Sequence, residues 1–399
     1  MEIFISKKTS SITPSSTLAI DAKANSMKAA GIDVIGFGAG QPDFDTPAHI
    51  KQAAVKALDE GFTKYTPASG TAALKQAICN KFKNDNNLTY SPQQIVVSNG
   101  AKHSLLNTFT AICDPGDEVI IPAPYWVSYP EMVKLADGVP VIITCTEQNG
   151  FKFTVQQIKQ AITPKTRAIV LNSPSNPTGM IYTKEELKNI AKVAVEHNLY
   201  IVSDEIYEKL IYDDAKHISI ASFGDDIKER NIIINGVSKT YAMTGWRIGY
   251  TASNEQLAQV MSNMQSHATS NPNSIAQVAA VKALEGPQQT VEEMRQAFKK
   301  RRDYMVGRIN GIKDLSCIKP QGAFYVMMNI EKLLGNTFYG QKINTSDEFA
   351  AHLLEKANVA LVPGSCFGAK GYMRLSYAIS MENIKEGLDR IERYIGYEK

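Results

Sequence analysis

Between residues 46 and 285, short apolar runs of β type alternate with stretches whose apolar positions recur every three or four residues. That alternation predicts a parallel sheet covered by helices. Ile95-Val96-Val97-Ser98 reads as a strand stopping at Asn99-Gly100, with a helix from Ala101 onward. Arg167 to Asn172, Leu199 to Ser203 and Asn231 to Asn235 read as further buried strands. Thr46-Pro47 reads as an N-cap and first helical residue of a helix reaching about Glu60. Thr183 with Glu186 has the spacing of a capping box, opening a helix that ends near His197.

Glu285-Gly286-Pro287 breaks this alternation, and Val291 to Arg308 then reads as one long, highly charged helix. Beyond it, short strands (Ala323 to Met328, Arg374 to Tyr377) mix with helices (Asp347 to Ala357, Met381 to Tyr394) in an α+β pattern. The expected organisation is a large domain over 46–285 and a smaller one from 1–45 and 310–399, joined by a helix over about 290–309. The first 45 residues show few periodic features and are expected to pack on the smaller domain.

Composition narrows the partners. Of the 399 residues 44% are hydrophobic, as in a globular protein, and no apolar run approaches the roughly 20 residues that span a bilayer. The net charge of +3 comes without a basic block, so neither a nucleic-acid nor a membrane footprint is expected, and the predicted partner is a small molecule. Met1 to Ile5 lacks the pattern of a signal peptide, and the five scattered cysteines (79, 113, 145, 317, 366) lack metal-ligand spacing, so a reduced, cytoplasmic protein is expected.

Candidate chemistry gathers at the strand ends, where open parallel sheets bind ligands. Lys239 follows the almost uncharged stretch Asn231 to Asn235, among small and hydroxyl residues. Desolvation there favours the neutral, nucleophilic amine, leaving a salt bridge or covalent chemistry as its uses. Arg247 offers a planar fork suited to a phosphate. An amine able to form a Schiff base beside such an arginine suggests pyridoxal phosphate chemistry. Gly100-Ala101-Lys102 stands where a strand yields to a helix, whose amides attract phosphate, although an ordinary tight turn fits too. The loop Asn172 to Gly179 holds two prolines that would present Asn176 rigidly, or simply punctuate the chain. Asp204 and Tyr207 end another apolar strand three residues apart: Asp204 could hold a proton on a ring nitrogen, or cap a helix, and Tyr207 could donate to a phenolic oxygen. Trp126 lies on a stiff loop after Pro122 and Pro124, to stack on a ring or to fill the core. Arg374 interrupts an apolar strand and requires a carboxylate, from the protein or from a substrate. Gly36-Phe37-Gly38-Ala39-Gly40 runs into Gln41-Pro42 rather than a helix and fails as a dinucleotide fingerprint.

Together these residues resemble class I pyridoxal-phosphate-dependent aminotransferases of fold type I, from Gly38-Ala39-Gly40-Gln41-Pro42-Asp43-Phe44 to the Arg374 motif. Pro124-Tyr125-Trp126-Val127-Ser128-Tyr129-Pro130 and Met243-Thr244-Gly245-Trp246-Arg247-Ile248-Gly249-Tyr250 are most similar to the prokaryote-type aspartate aminotransferase branch. The resemblance implies Lys239 as the Schiff-base lysine, Asp204 paired with the pyridinium nitrogen, and Tyr207 and Asn176 on the phenolic oxygen. It implies Trp126 stacked on the ring, with Arg247 and the Gly100-Ala101-Lys102 turn on the phosphate. It also implies a homodimer in which Tyr65 reaches the neighbouring subunit's phosphate. Arg374, helped by Gly40, would take the α-carboxylate, and Ser15, Thr17 and Lys102, with a serine near Ser270 of the other chain, the second carboxylate. The implied reaction is ping-pong transamination between L-aspartate and 2-oxoglutarate; a broad, aromatic or prephenate aminotransferase of the same class is the alternative. Two positions depart from the pattern: Thr13 stands where prephenate-using relatives carry a basic residue, and Gly236 where many carry a phosphate-binding serine.

Overall fold

The computed structural model describes residues 4–14 and 16–396. Its centre is a seven-stranded sheet in the spatial order Ile95–Ser98, Gly249–Ala252, Asn231–Gly236, Tyr200–Asp204, Thr166–Asn172, Glu118–Ala123, Val139–Thr144. Neighbouring strands are parallel, except that Gly249–Ala252 runs antiparallel to both strands beside it. The inner strands are covered on both faces, which is why they read as continuous apolar runs: Ile232, Ile233 and Ile234 are all fully buried. The fold is thus α/β with a mostly parallel sheet. The strand Gly249–Ala252 escaped the sequence pattern because its four residues include Gly249 and Ala252, which carry almost no β signal.

Register decides which side chains meet. Asn172 lies opposite Asp204, Gly236 opposite Gly249, and Gly249 opposite Ser98. Strands 95–98, 166–172, 200–204 and 231–236 therefore end on one edge of the sheet, which delivers Gly100, Asn176, Asp204 and Lys239 to a common region. The capping box forms as expected: Thr183 N donates to Glu186 Oε2 (2.7 Å) and Glu186 N to Thr183 Oγ1 (3.3 Å). The expectation at Thr46 is corrected. The helix Ala48–Asp59 is preceded by Pro47 in an extended conformation, with no side-chain cap. Thr46, one residue too early to cap, donates instead to Ala242 O (2.7 Å) and accepts from Trp246 Nε1 (3.0 Å), tying this entry to the segment after Lys239.

The first 45 residues carry more structure than their pattern suggests. The helix Ser16–Ala29 and the short strand Ile35–Gly36, parallel to Val359–Ala360, pack against the C-terminal elements. Ala24 and Val34 share a small core with Leu354 and Ala360. A three-stranded antiparallel sheet, Val362–Pro363, Tyr372–Ser376 and Tyr325–Asn329, carries Arg374 opposite Val362 and Met327. The long helix is Gln289–Gly311. Its fully buried Arg302 is compensated by Asp213 (2.8 Å), Asp303 (2.7 Å) and Pro320 O (2.9 Å), as a buried cation must be. Among the described residues no helix is long and apolar enough to cross a membrane.

Candidate active site

The edge where those strands end opens into a cavity of roughly 550 Å3, closed on its other side by Gly38, Gly40, Tyr325 and Arg374. Lys239 lies on its floor, in the turn after Asn231–Gly236, and donates to Gly40 O. Burial, then the cations Arg247 and Arg374, bring its pKa down from 10.5 to about 8, against the opposing pull of Asp204. An appreciable fraction of the amine is therefore neutral near physiological pH, as a nucleophile or general base requires.

Asp204 is buried, holding a hydrogen bond from Tyr129 Oη (2.7 Å) and one from Ile206 N (3.2 Å). Burial raises its pKa to about 6, although both bonds stabilise the carboxylate. It caps no helix; the Ile206 bond belongs to a turn, and the carboxyl lines the cavity. Tyr207, one turn on, shares a 3.1 Å bond with Tyr325 Oη, and burial lifts its phenol well above the usual range. Asn176 is fixed from both ends: its N–H donates to Asn172 Oδ1 (2.8 Å), and its Oδ1 accepts from Arg374 NH1 (3.1 Å).

The helix Ala101–Ile112 begins at Gly100, whose φ of +87° suits glycine and which supplies no capping side chain. The first amides of a helix lack intrahelical partners and attract an anion. A Cβ on Gly100 would stand 2.2 Å from Arg247 NH2, so glycine allows the guanidinium to lie across the helix start. Arg247 is held there by Thr244 O (2.8 Å) and Asn99 O (3.4 Å). Gly249 permits the same closeness from beneath, since an added Cβ would meet Ala101 N at 2.1 Å and Gly100 C at 2.4 Å. Both are backbone atoms and cannot rotate aside. Gly249→Ala should therefore displace the helix start, lowering stability by about 1–3 kcal/mol and weakening phosphate-ester binding; thermal melts and pyridoxal phosphate titration of the variant check this. Position 236 has no room for a serine: a Cβ there would lie 2.9 Å from both Gly249 Cα and Ile248 O. Ser238 lines the cavity two residues later.

Arg374 is 2% exposed. Its NH2 donates to Gly38 O (2.8 Å) and its NH1 to Asn176, while Nε is buried with no partner among the described residues. The guanidinium lies over Tyr325 and Phe367, at 4.5 and 4.9 Å from the ring centroids. A buried cation with an unmet donor and an open cavity before it fits a carboxylate. Gly40, expected beside Arg374, gives its carbonyl to Lys239, while Gly38 serves Arg374. Trp126 and Thr17 line the cavity, and Lys102 Nζ sits 5.0 Å above the Trp126 ring with its pKa lowered by burial and then by Arg247. Ser15 lies outside the described residues. Tyr65, 88% exposed, and Ser270, also exposed, stand outside their own chain's cavity. Sequence reasoning missed Tyr129, Tyr325 and Asp21, which also line it. For Tyr129 a signal existed, since it stands three residues after Trp126 as a helix begins; Tyr325 and Asp21 arrive through tertiary packing alone.

An amine of lowered basicity, an anion cradle and an unsatisfied buried arginine in one cavity define a group-transfer enzyme for carboxylate-bearing amines. The chain belongs to the aminotransferase class I and II family, whose model matches residues 32–391. It is 54% identical over 391 residues to an aspartate aminotransferase of Geobacillus stearothermophilus, spanning 98% of both chains. It is 52% identical over 395 residues to one from Bacillus sp. (strain YM-2), spanning 99% of this chain and all of the relative. The solved aspartate aminotransferase of Rhizobium meliloti superposes over the full length of both chains with a TM-score of 0.96, at 44% identity.

Proposed function

We infer that the chain is a pyridoxal-phosphate-dependent aspartate aminotransferase, converting L-aspartate and 2-oxoglutarate to oxaloacetate and L-glutamate by a ping-pong route. The observation that carries this reading is the shared cavity of Lys239 and Arg374, which pairs a reactive amine with a waiting carboxylate site.

The residues present suit pyridoxal phosphate: Lys239 for its aldehyde, Asp204 for its ring nitrogen, Tyr207 and Asn176 for its phenolic oxygen, Trp126 for its face. Arg247 and the Gly100-Ala101-Lys102 turn suit its phosphate. When bound, the cofactor supplies an electron sink for the pair released at the substrate's α-carbon. Arg374 orients that carbon by gripping the α-carboxylate, with Gly40 beside it. Lys102, with Ser15 and Thr17, attracts the second carboxylate, which separates aspartate from neutral amino acids. Lys239 takes the α-proton and later returns one, base then acid. Exposed Tyr65 belongs, in this reading, to the neighbouring active site of a homodimer, with the sheet region 46–285 and the terminal regions acting as two domains around the cavity.

Protein loaded with pyridoxal phosphate should absorb in the visible, and aspartate should discharge that band. The kcat/KM for aspartate should exceed those for tyrosine, phenylalanine and alanine by at least about tenfold, the scale of one satisfied charged contact. Equal values for tyrosine and aspartate would reject the dicarboxylate reading.

A further inference from the structure

Beside Asp204, in and around the turn that follows it, lies a buried ionic cluster that does not line the cavity and that the proposed reaction does not use. Glu205 and Glu208 are buried, and Glu208 N donates to Glu205 O (2.9 Å), closing the turn that follows Asp204. Asp204 and Tyr207 face the cavity from this turn, while Glu205 and Glu208 point into the cluster. Glu205 is held by Ser219 Oγ (2.7 Å) and by His217 Nε2 (3.0 Å). Glu208 is ion-paired with Lys81 and accepts from Asn86 Nδ2 (3.0 Å) and Asn235 Nδ2 (2.6 Å).

The ligand atoms of Glu205, Glu208 and His217 lie within 4.8 Å of one another, a spacing open to a metal ion. The Lys81 ammonium already supplies a cation to Glu208, and donates also to Asn86 Oδ1 (2.7 Å). A different role fits better. Burial pushes the His217 imidazole down, but the charge of Glu205, the hydrogen bond to it and the charge of Glu208 reverse this, so its pKa is raised. Glu208 is held down at about 2, chiefly by Lys81 and His217 against its burial. Lys81 and His217 face Glu208 and Glu205, while Asp85, 3.9 Å from Lys81, is paired with Lys209 (2.8 Å) at the cluster's rim, so protonated His217 is the cation that answers Glu205.

We propose that Glu205, Glu208, Lys81 and His217 are positioning residues that clamp the turn bearing Asp204 and Tyr207, and that charged His217 screens Glu205 so that Asp204 stays a carboxylate. The proposal rests on the reading that Asp204 meets the cofactor's ring nitrogen. The groups facing Asp204 are Tyr129 from the helix Ser128–Leu135, Tyr207 from its own turn, Lys239 across the cavity and Glu205 beside it. Of these, only Glu205 contacts the cluster.

The test is a titration of the Asp204 carboxyl by 13C NMR, on full-length protein free of cofactor and assigned with Asp204→Asn. His217→Gln leaves Glu205 unscreened and should move the midpoint up; Glu205→Gln removes the anion and should move it down. Each shift should be about one pH unit, the scale of one buried charge nearby. Ser219→Ala, a milder loss of one donor to Glu205, should move it up by less and serves if His217→Gln fails to fold. In loaded protein, the pH at which the visible band changes should move in the same directions. Opposite shifts support the proposal. A cluster that is only structural would destabilise all variants without opposed titrations; shifts of the same sign, or none, overturn the proposal. Asp204→Ala separately tests the underlying reading: unchanged pyridoxal phosphate affinity would overturn that reading, whatever the titrations show.

Discussion

Lys239→Ala should abolish multiple turnover, lowering kcat for aspartate by at least about 10^4-fold, since one residue serves as both covalent partner and proton carrier. No neighbour can stand in, because Lys102 Nζ lies over Trp126 and the other nearby cations, Arg247 and Arg374, are guanidiniums with no amine to offer. The fold should survive, and at neutral pH gain. A lysine whose pKa falls from 10.5 to about 8 on folding binds fewer protons in the native state than in the unfolded one. Native stability therefore rises with pH between about 8 and 10.5, and below 8 the residue costs about 3 kcal/mol. Alanine removes that cost, offset in part by losing the bond to Gly40 O. Cofactor-free Lys239→Ala should thus melt higher than wild type at pH 7, with the gap closing towards pH 10. Normal turnover would sink the catalytic assignment, and a lower melting point at pH 7 would sink the account of its strained charge. Instability concentrated in the reactive residue is the usual trade between activity and stability.

The chemistry was legible wherever one side chain carries a charge that its local pattern cannot explain. Lys239 after Asn231–Gly236 and Arg374 inside Tyr372–Ser376 are both of this kind, and the fold brings both to one cavity. Strands buried on both faces announce themselves as apolar runs, so the centre of the sheet was legible too. What stayed hidden depends on contacts distant in sequence. Tyr129 reaches Asp204 across 75 residues, and Tyr325 reaches Tyr207 across 118. Asp204 and Glu205 stand side by side in sequence, but where the strand Tyr200–Asp204 gives way to a turn one side chain enters the cavity and the other meets His217, a division that composition cannot anticipate. The helix Ser16–Ala29 was missed because its interior alternates small and polar residues, giving no apolar stripe; it places Thr17 and Asp21 in the cavity all the same.

Arg374→Leu should lower kcat/KM for aspartate by about 10^3-fold, the cost of leaving a buried carboxylate without its cation. Geometry decides how specific that loss is. The guanidinium donates to Gly38 O and Asn176 Oδ1 and keeps Nε in reserve, so its fork is already oriented before any ligand arrives. Arg374→Lys keeps the charge but not the fork, and should recover only part of the loss. A second consequence is electrostatic. Arg374 is one of the cations that depress Lys239, so removing it should raise that lysine's pKa and move the acid limb of the rate profile to higher pH. Arg374 also pulls down the carboxyl of Asp21, which burial alone raises, so the leucine variant should leave Asp21 protonated to higher pH. An amine substrate without an α-carboxylate separates binding from these field effects. For such an amine, Arg374→Leu should leave kcat/KM within a few-fold of wild type once each enzyme is compared at its own optimum. An equal fall for both substrates would mean that Arg374 acts by holding Asn176 and Gly38 in place rather than by gripping the substrate.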